Sequence, residues 1–499
     1  MSDSDGRVVS LPEALALVGV VAVCLLVPLF PGRLPIAGFP IDAITLTVPL
    51  AVLLAIPLFR RLGARGLPPV GMLASGIVFL TWALVSVAMS ASRAASLATW
   101  SRYLSYFLLV IVVAAATRVW WSRRIAMWSL TLAGTVTCVM GLMQYLNPDS
   151  KQAIGLQGLD AGVATRVFAT FDNPNFFAEF LLLLFVVTLA LALSERGALR
   201  WLALILCGGQ AVILVLTYTR GSWLALAVGI VIMALMIDAR WLWAFLALGV
   251  GVLAAAPGAL RRVVSSFSLE GTASFRLRLW RVTGEIIAAH PIAGVGIGGF
   301  VPAFKAASLA HPDIATGFLI YGAHNSYYTI GAETGVIGAI AFVAVVFTCA
   351  RMGLYYAPRM RSDRRAFLAN AALTAGLVGF GLNALTSNSF QHPQAAIFFW
   401  VIAGLQAGMG AAFWDRAPQP RPARASSFHA PKLVADSYLG RGVSAFVAWL
   451  PRAWSSSDVA RWLSAPPAGA DTILRGSRLL GLVFGRGDAA VAPAQPASK

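Results

Sequence analysis

"HNSYYTIGAETGVIGAIAFVAVVF", from His324 to Phe347, opens on a polar pair and runs into an apolar stretch. A run of this kind suits a helix crossing ~30 Å of hydrocarbon, so its polar lip marks where the chain enters the membrane. Glu333 lies nine residues in, about 180° round an ideal helix from His324 and ~13 Å deeper. The two do not share a face of a regular helix. A carboxylate at that depth reads as a brace on a neighbouring helix, and Gly331 and Gly335 stand at the spacing that lets helices approach closely. The histidine and asparagine at the lip remain to be explained.

The rest of the chain repeats the apolar pattern. Of 499 residues, 59% are hydrophobic and 12% charged, and the mean hydropathy is +0.77. Such values exclude an ordinary soluble domain and point to an all-α polytopic membrane protein. Twelve apolar runs of spanning length fall near 11–31, 37–59, 69–90, 103–117, 125–146, 175–194, 201–218, 222–237, 241–257, 326–349, 367–388 and 394–413. The first, Leu11 to Phe30, follows Asp3 and Asp5 and exceeds the core of a signal peptide, so it is expected to stay as a span. Cys24, Cys138, Cys207 and Cys349 all lie inside spans without metal or redox spacing and read as small core residues.

The net charge of +18 is a matter of membrane orientation, not of nucleic acid. Arg60, Arg61 and Arg65 follow the second span; Arg118, Arg123 and Arg124 the fourth; Arg196 and Arg200 the sixth; Arg240 the eighth. Arg351, Arg359, Arg361, Arg364 and Arg365 follow the tenth. Every cluster follows an even span, so one topology puts all of them, and both termini, in the cytoplasm. The long connections near 147–174 and 258–325 then face the other side. The second contains "SFRLRLWRVTGEIIAAHP", in which Phe275, Leu279, Val282 and Ile286 have helical spacing, followed by the Gly-rich turn "GVGIGGF". No strand precedes that turn, which excludes a nucleotide loop.

Arginines on the far side run against the charge rule. Arg220 sits in the short link "TYTRGSW", Arg166 precedes "FATFDNPNFFAEF", Arg276, Arg278 and Arg281 lie in the large loop, and His324 closes it. Taken singly, each has an ordinary explanation. A histidine at a helix end is usually a cap, an arginine at a lip snorkels to headgroups, and Asn173–Pro174–Asn175 starts a helix. Their convergence on one face is the signal. Guanidinium groups match phosphate oxygens and stay charged, and a helix start capped by Asn325 adds N–H groups to the same anion site. The phosphate available at such a lip belongs to a lipid-linked carrier. Glycosyl transfer from a diphosphate needs charge stabilisation on the leaving group and a base for the acceptor hydroxyl, roles for arginine and histidine. Scattered outer-loop acids (Asp149, Asp160, Asp172, Glu270, Glu285, Asp313) show no ligand spacing, so neither a metal nor another cofactor is expected.

Together, "RVFATFDNPNFFAEFL", "TYTRGSWLAL", "RLRLWRVTGEIIAAHPIAGVGIGGF" and "HNSYYTIGAETGVIGAI" resemble the O-antigen ligase/polymerase family of bacterial inner-membrane glycosyltransferases, in the family's order. The resemblance implies a GT-C-type helical fold with a helical periplasmic loop domain. It also implies inverting, metal-independent transfer of a glycan from undecaprenyl diphosphate. The acceptor is lipid A–core in ligases, a lipid-linked glycan in polymerases, or a protein hydroxyl in O-oligosaccharyltransferases. Carried over, the catalytic residues are Arg220, His324 and Arg276, the last in an R-x-x-x-W pattern with Trp280; Arg278 competes with Arg276 for the loop role. Arg166, Asn173, Asn175, Arg278, Trp280 and Asn325 are expected to bind substrate or shape the cavity mouth. The chain then divides into 1–174 (N-terminal spans and first long loop), 175–349 (ligase-like core with loop 258–325), 350–413 (C-terminal spans) and 414–499. The last is a basic cytoplasmic tail outside the family pattern; "LGRGVSAFVAWLPRAW" reads as an interfacial piece or as disordered. Rival readings are a flippase for lipid-linked sugars, which wants charges deep in several spans, and a scaffold, which leaves the far-side arginines unexplained.

Overall fold

The computed structural model describes residues 10–30, 34–36, 39–147, 166–255, 272–311, 314 and 322–416. The amphipathic piece of the tail and the middle of each long connection lie outside these residues. The elements are α1 (Leu11–Leu29), α2 (Ala43–Leu62), α3 (Val70–Val87), α4 (Arg93–Ala116), α5 (Trp120–Leu146), α6 (Pro174–Ser194) and α7 (Gly197–Leu216). They continue with α8 (Arg220–Ile237), α9 (Trp241–Ala255), α10 (Thr272–Ala289), α11 (Phe300–Ser308), α12 (Ser326–Met360), α13 (Arg364–Asn383) and α14 (Pro393–Arg416). Two three-residue strands, Leu34–Ile36 and Phe39–Ile41, pair antiparallel before α2.

Among the described residues, eleven helices are long and apolar enough to cross a membrane, and the protein is an all-α polytopic membrane protein. The ninth expected span, α9, is apolar, and 15 of its residues, up to Ala255, are among those described. Three boundaries depart from the hydropathy pattern by more than five residues, one of them the end of the tenth span, where α12 runs on from 349 to Met360. The run expected from residue 37 starts as a helix only at Ala43, because the strand pair takes its first residues. The fourth begins ten residues early, at Arg93, since helical hydrogen bonding continues where hydropathy has already fallen. That extension carries Arg93 and Arg102 into α4.

Small residues decide how the helices meet. Gly229 of α8 lies against the Ala375 backbone of α13, and a Cβ on Gly379 would sit 2.9 Å from the carbonyl oxygen of Ala225. Gly221 comes next, against Asn383 and Thr386. Gly221, Ala225 and Gly229 recur every four residues, so they form one seam that lets α8 and α13 touch backbone to backbone. The seam leads directly to Arg220. Deeper polar groups serve as glue: Gln406 donates to Asn370 Oδ1 at 3.2 Å and to Thr374 Oγ1 at 2.8 Å, and Asn370 donates to the Gly353 carbonyl at 2.8 Å.

One end of the bundle is basic. Arg124 pairs with Glu195, and Arg123 donates to the carbonyls of Thr117 and Arg118, both at 3.2 Å. At the opposite end, α6, α8, α12 and α14 begin and α5, α7 and α13 end. Tyr327 donates to the Gly381 carbonyl at 2.7 Å there, and Gln144 to that of Ala169 at 3.1 Å.

A second, smaller core sits at this end. Leu279, Val282 and Ile286 of α10 are buried with Phe300 and Phe304 of α11, and Phe275 packs against them, so the sequence periodicity of α10 is its buried face. The Gly-rich segment 294–300 ties this core to the bundle. Val295 donates to the Ala332 carbonyl at 2.9 Å, Val336 to that of Pro291 at 2.8 Å, and Ile297 to Ser86 Oγ at 3.1 Å. Gly335 (φ 71°) breaks α12 against the Pro291–Ile292 backbone, where any Cβ would collide. Glu333, two residues before the break, accepts from the Phe300 N–H at the start of α11 (3.4 Å). It is a brace, but for the Gly-rich segment rather than for another spanning helix.

Candidate active site

Three short segments converge at the end opposite the basic clusters. In the first, Arg166 acts as a strap. Its Nε donates to the Thr217 carbonyl at 2.8 Å, and its Nη2 to Asn175 Oδ1 at 2.9 Å and Thr219 Oγ1 at 3.1 Å. Asn173 caps α6 by accepting from the Asn175 N–H at 2.8 Å, with Pro174 in the first turn. Arg166, Asn173 and Asn175 thus bind one another's segments and hold the 217–219 turn, from which Arg220 starts α8.

The second segment is α10. Trp280 donates from its indole N–H to the Ala323 carbonyl at 3.0 Å. Arg276 precedes it by four residues and shares its helix face, which carries the guanidinium toward His324 and Arg220. Burial, and secondarily the charge of Arg220, pushes the pKa of Arg276 down. Arg278 is about 200° round the helix from Arg276, so the R-x-x-x-W face belongs to Arg276; the Arg278 Nε is buried without a hydrogen-bond partner among the described residues.

The third segment is Gly322–Asn325. Trp280 holds Ala323 from one side, and Thr329 Oγ1 accepts from the Ala323 N–H at 3.0 Å. On the other side Asn325 caps α12, its Oδ1 accepting from the N–H groups of Tyr327 (3.0 Å) and Tyr328 (3.1 Å). Between these anchors the half-buried His324 takes φ 51°, a left-handed conformation unusual for a side-chain-bearing residue. Burial, and then the nearby Arg276 charge, holds its pKa down at about 4, so the imidazole is neutral at pH 7. The described residues contain two other non-glycine left-handed positions, Ala169 (φ 50°) and Tyr218 (φ 51°). All three fall in the segments that converge here, where such strain is characteristically stored.

Arg220, Arg276 and His324 therefore form an electrostatically coupled row drawn from α8, α10 and the lip of α12. Adjacent cations at a half-buried lip destabilise each other, and an anion with several oxygens relieves both.

Sequence reasoning missed the link 384–392 between α13 and α14. Asn388 presses against Gly322, leaving no room there for a Cβ. His392 stacks on Phe176 (ring centroids 3.7 Å apart), and burial, then the charge of Arg102, holds its pKa down at about 3. The signal was present, since "TSNSFQHPQ" is a polar run between two spans, but it bears no arginine to break the charge rule.

No curated protein matches the chain. Residues 202–343, which run from α7 to the middle of α12 and include Arg220, Arg276 and His324, match the family model described as O-antigen ligase. Within the bundle of membrane-spanning helices, the segment that bears Arg220, Arg276 and His324 is therefore similar to an O-antigen ligase domain.

Proposed function

We propose that the protein is a glycosyltransferase that moves a glycan from undecaprenyl diphosphate to an acceptor hydroxyl at the periplasmic face of a bacterial inner membrane. The type is O-antigen ligase or polysaccharide polymerase, with lipid A–core or a second lipid-linked glycan as acceptor. The observation that carries this reading is the coupled row Arg220–Arg276–His324 inside the matched domain.

The acceptor oxygen attacks the anomeric carbon as the bond from that carbon to the diphosphate oxygen breaks. The new glycosidic bond forms with inversion, and undecaprenyl diphosphate leaves with the electron pair. Arg220 and Arg276 neutralise charge as it grows on the leaving diphosphate, supplying what a metal supplies elsewhere. The His324 imidazole receives the acceptor proton. Burial and the Arg276 charge keep it neutral and thus able to accept one; a bound diphosphate offsets Arg276 and raises its proton affinity at the step that needs it. Arg166, Asn173 and Asn175 fix the cavity mouth, and Trp280 and Asn325 fix His324.

The test uses purified protein in detergent with a diphosphate-linked glycan and candidate acceptors. Wild type transfers, while His324→Ala and Arg220→Ala lose on the order of 100-fold or more in kcat. Undiminished transfer in both variants overturns the assignment. Detergent leaves no bilayer to cross, so turnover there separates chemistry from the flippase reading.

A further inference from the structure

Glu179 is the one charged residue of α6, "PNFFAEFLLLLFVVTLALALS", and its carboxylate is buried in the bundle. An ionisable group there is costly and calls for a specific use. It lies outside the matched domain, and the mechanism above does not employ it. Its Oε1 accepts from Ser387 Oγ, and the Ser389 and Asn383 side chains also hydrogen-bond the carboxylate. Ser387 leads directly to the site. Its carbonyl accepts from the Ser326 N–H at 3.0 Å and from Ser326 Oγ at 3.1 Å. Ser326 Oγ accepts in turn from the Phe390 N–H at 3.1 Å, and Gln391 Nε2 donates to the Ser326 carbonyl at 3.3 Å. Ser326 is two residues from His324, across the Asn325 cap.

The same link reaches the other arm of the site. Asn383 Nδ2 donates to Ser389 Oγ at 3.1 Å, and Ser222 Oγ of α8 donates to Asn383 Oδ1 at 3.3 Å, two residues from Arg220. Residues 383–391 therefore form a hub with α8 on one side and the start of α12 on the other. Glu179 enters that hub from α6, the helix whose first turn carries the Arg166 strap.

We propose that Glu179 is a positioning residue of the transferase site: through Ser387 it fixes Ser326, and with it His324, at a set distance from Arg220. The proposal rests on the transferase reading above. What Glu179 contributes is an acceptor oxygen at the right place, so its charge is dispensable and its reach is not.

The experiment compares Glu179→Ala, Glu179→Gln, Ser387→Ala and the Glu179→Ala/Ser387→Ala double variant in the full chain. Gln406→Leu, a buried polar change elsewhere in the bundle, is the control for stability alone. Glu179→Ala and Ser387→Ala each lower kcat on the order of 10- to 100-fold while the donor KM holds, because His324 moves and the arginines stay. The double variant is no worse than the worse single one, as two links of one chain require. Glu179→Gln keeps an oxygen for Ser387 and retains most of the wild-type kcat. Gln406→Leu lowers the thermal midpoint and leaves kcat alone. Wild-type kcat in both alanine variants, multiplicative losses in the double, or a Glu179→Gln as impaired as alanine each overturns the proposal. If Glu179→Ala does not fold, Ser387→Ala and Glu179→Gln carry the test. A second readout needs no turnover: the rate at which diethyl pyrocarbonate modifies His324, resolved by peptide mass. That rate shifts in the alanine variants and not in Glu179→Gln if the hub holds, and stays at wild type throughout if it does not. Absence of transfer by the wild-type protein would sink the transferase reading, while the labelling would still decide the hub.

Discussion

His324 is held as a neutral base by two causes, of which burial is the larger and Arg276 the second. Free-enzyme kcat/KM is therefore expected to stay level as pH falls from 7 and to drop only on approaching about 4, where the imidazole protonates. Arg276→Gln removes one cause, so the acid limb of its residual activity moves up in pH; a limb that stays in place would detach Arg276 from His324. The cap beside it makes a separate prediction. Asn325→Ala strands two backbone N–H groups and is expected to cost about 1 kcal/mol of stability, read from denaturant or thermal unfolding, with a larger effect on kcat than on donor KM. At this scale the sequence was informative where residues broke a rule. Arg220, Arg276 and His324 stood out because charge and polarity were misplaced for a membrane protein. Glu179 and Asn388 did not, because their significance lies in contacts between segments far apart in the chain, Ser387 with Glu179 and Asn388 with Gly322.

Among the elements, α8 and α13 place Arg220 most directly. Their seam of Gly221, Ala225 and Gly229 against Ala375, Gly379 and Asn383 has no slack, so Gly379→Val or Gly229→Val wedges the helices apart. Such variants are expected to raise the donor KM as Arg220 shifts, beyond the loss of stability itself; a variant that loses thermal stability while donor KM holds would show that the seam does not set the arginine. The hydropathy pattern located both helices to within a few residues but was silent on which neighbours they choose. That choice depends on small residues whose spacing has meaning only once a partner is known. The pairing of Trp280 with Ala323 is of the same kind. The R-x-x-x-W spacing put Arg276 and Trp280 on one face, and only the tertiary contact shows that the tryptophan delivers that face to His324.

Over the whole molecule, two neutral histidines set an acid sensitivity. The unfolded chain binds protons at His324 and His392 near pH 6.5, whereas the folded protein does so only near about 4 and about 3. Between those limits the unfolded state holds more protons, so stability rises with pH and is lost as pH falls below 6.5. From pH 7 to pH 4 the thermal midpoint in detergent should lose more, or gain less, in the wild type than in a His324→Gln/His392→Gln variant; equal slopes would remove both groups from the account. The overall architecture was legible because hydrocarbon demands long apolar helices and leaves few alternatives. The cap-like core of α10 and α11 was half legible: the α10 face could be read from its spacing, whereas its attachment through glycines and Glu333 could not. That attachment governs how the cap moves. With the backbone of 291–297 bonded to Ala332, Val336 and Ser86, and Glu333 holding the first N–H of α11, this connection, among the described residues, offers no free pivot between cap and bundle. It is a clasp rather than a hinge, so the amides of Val295, Val336 and Phe300 should exchange with solvent in concert with the first turns of α12, as a single cooperative unit. Any displacement of the 291–297 backbone is then expected to be shared by the start of α12.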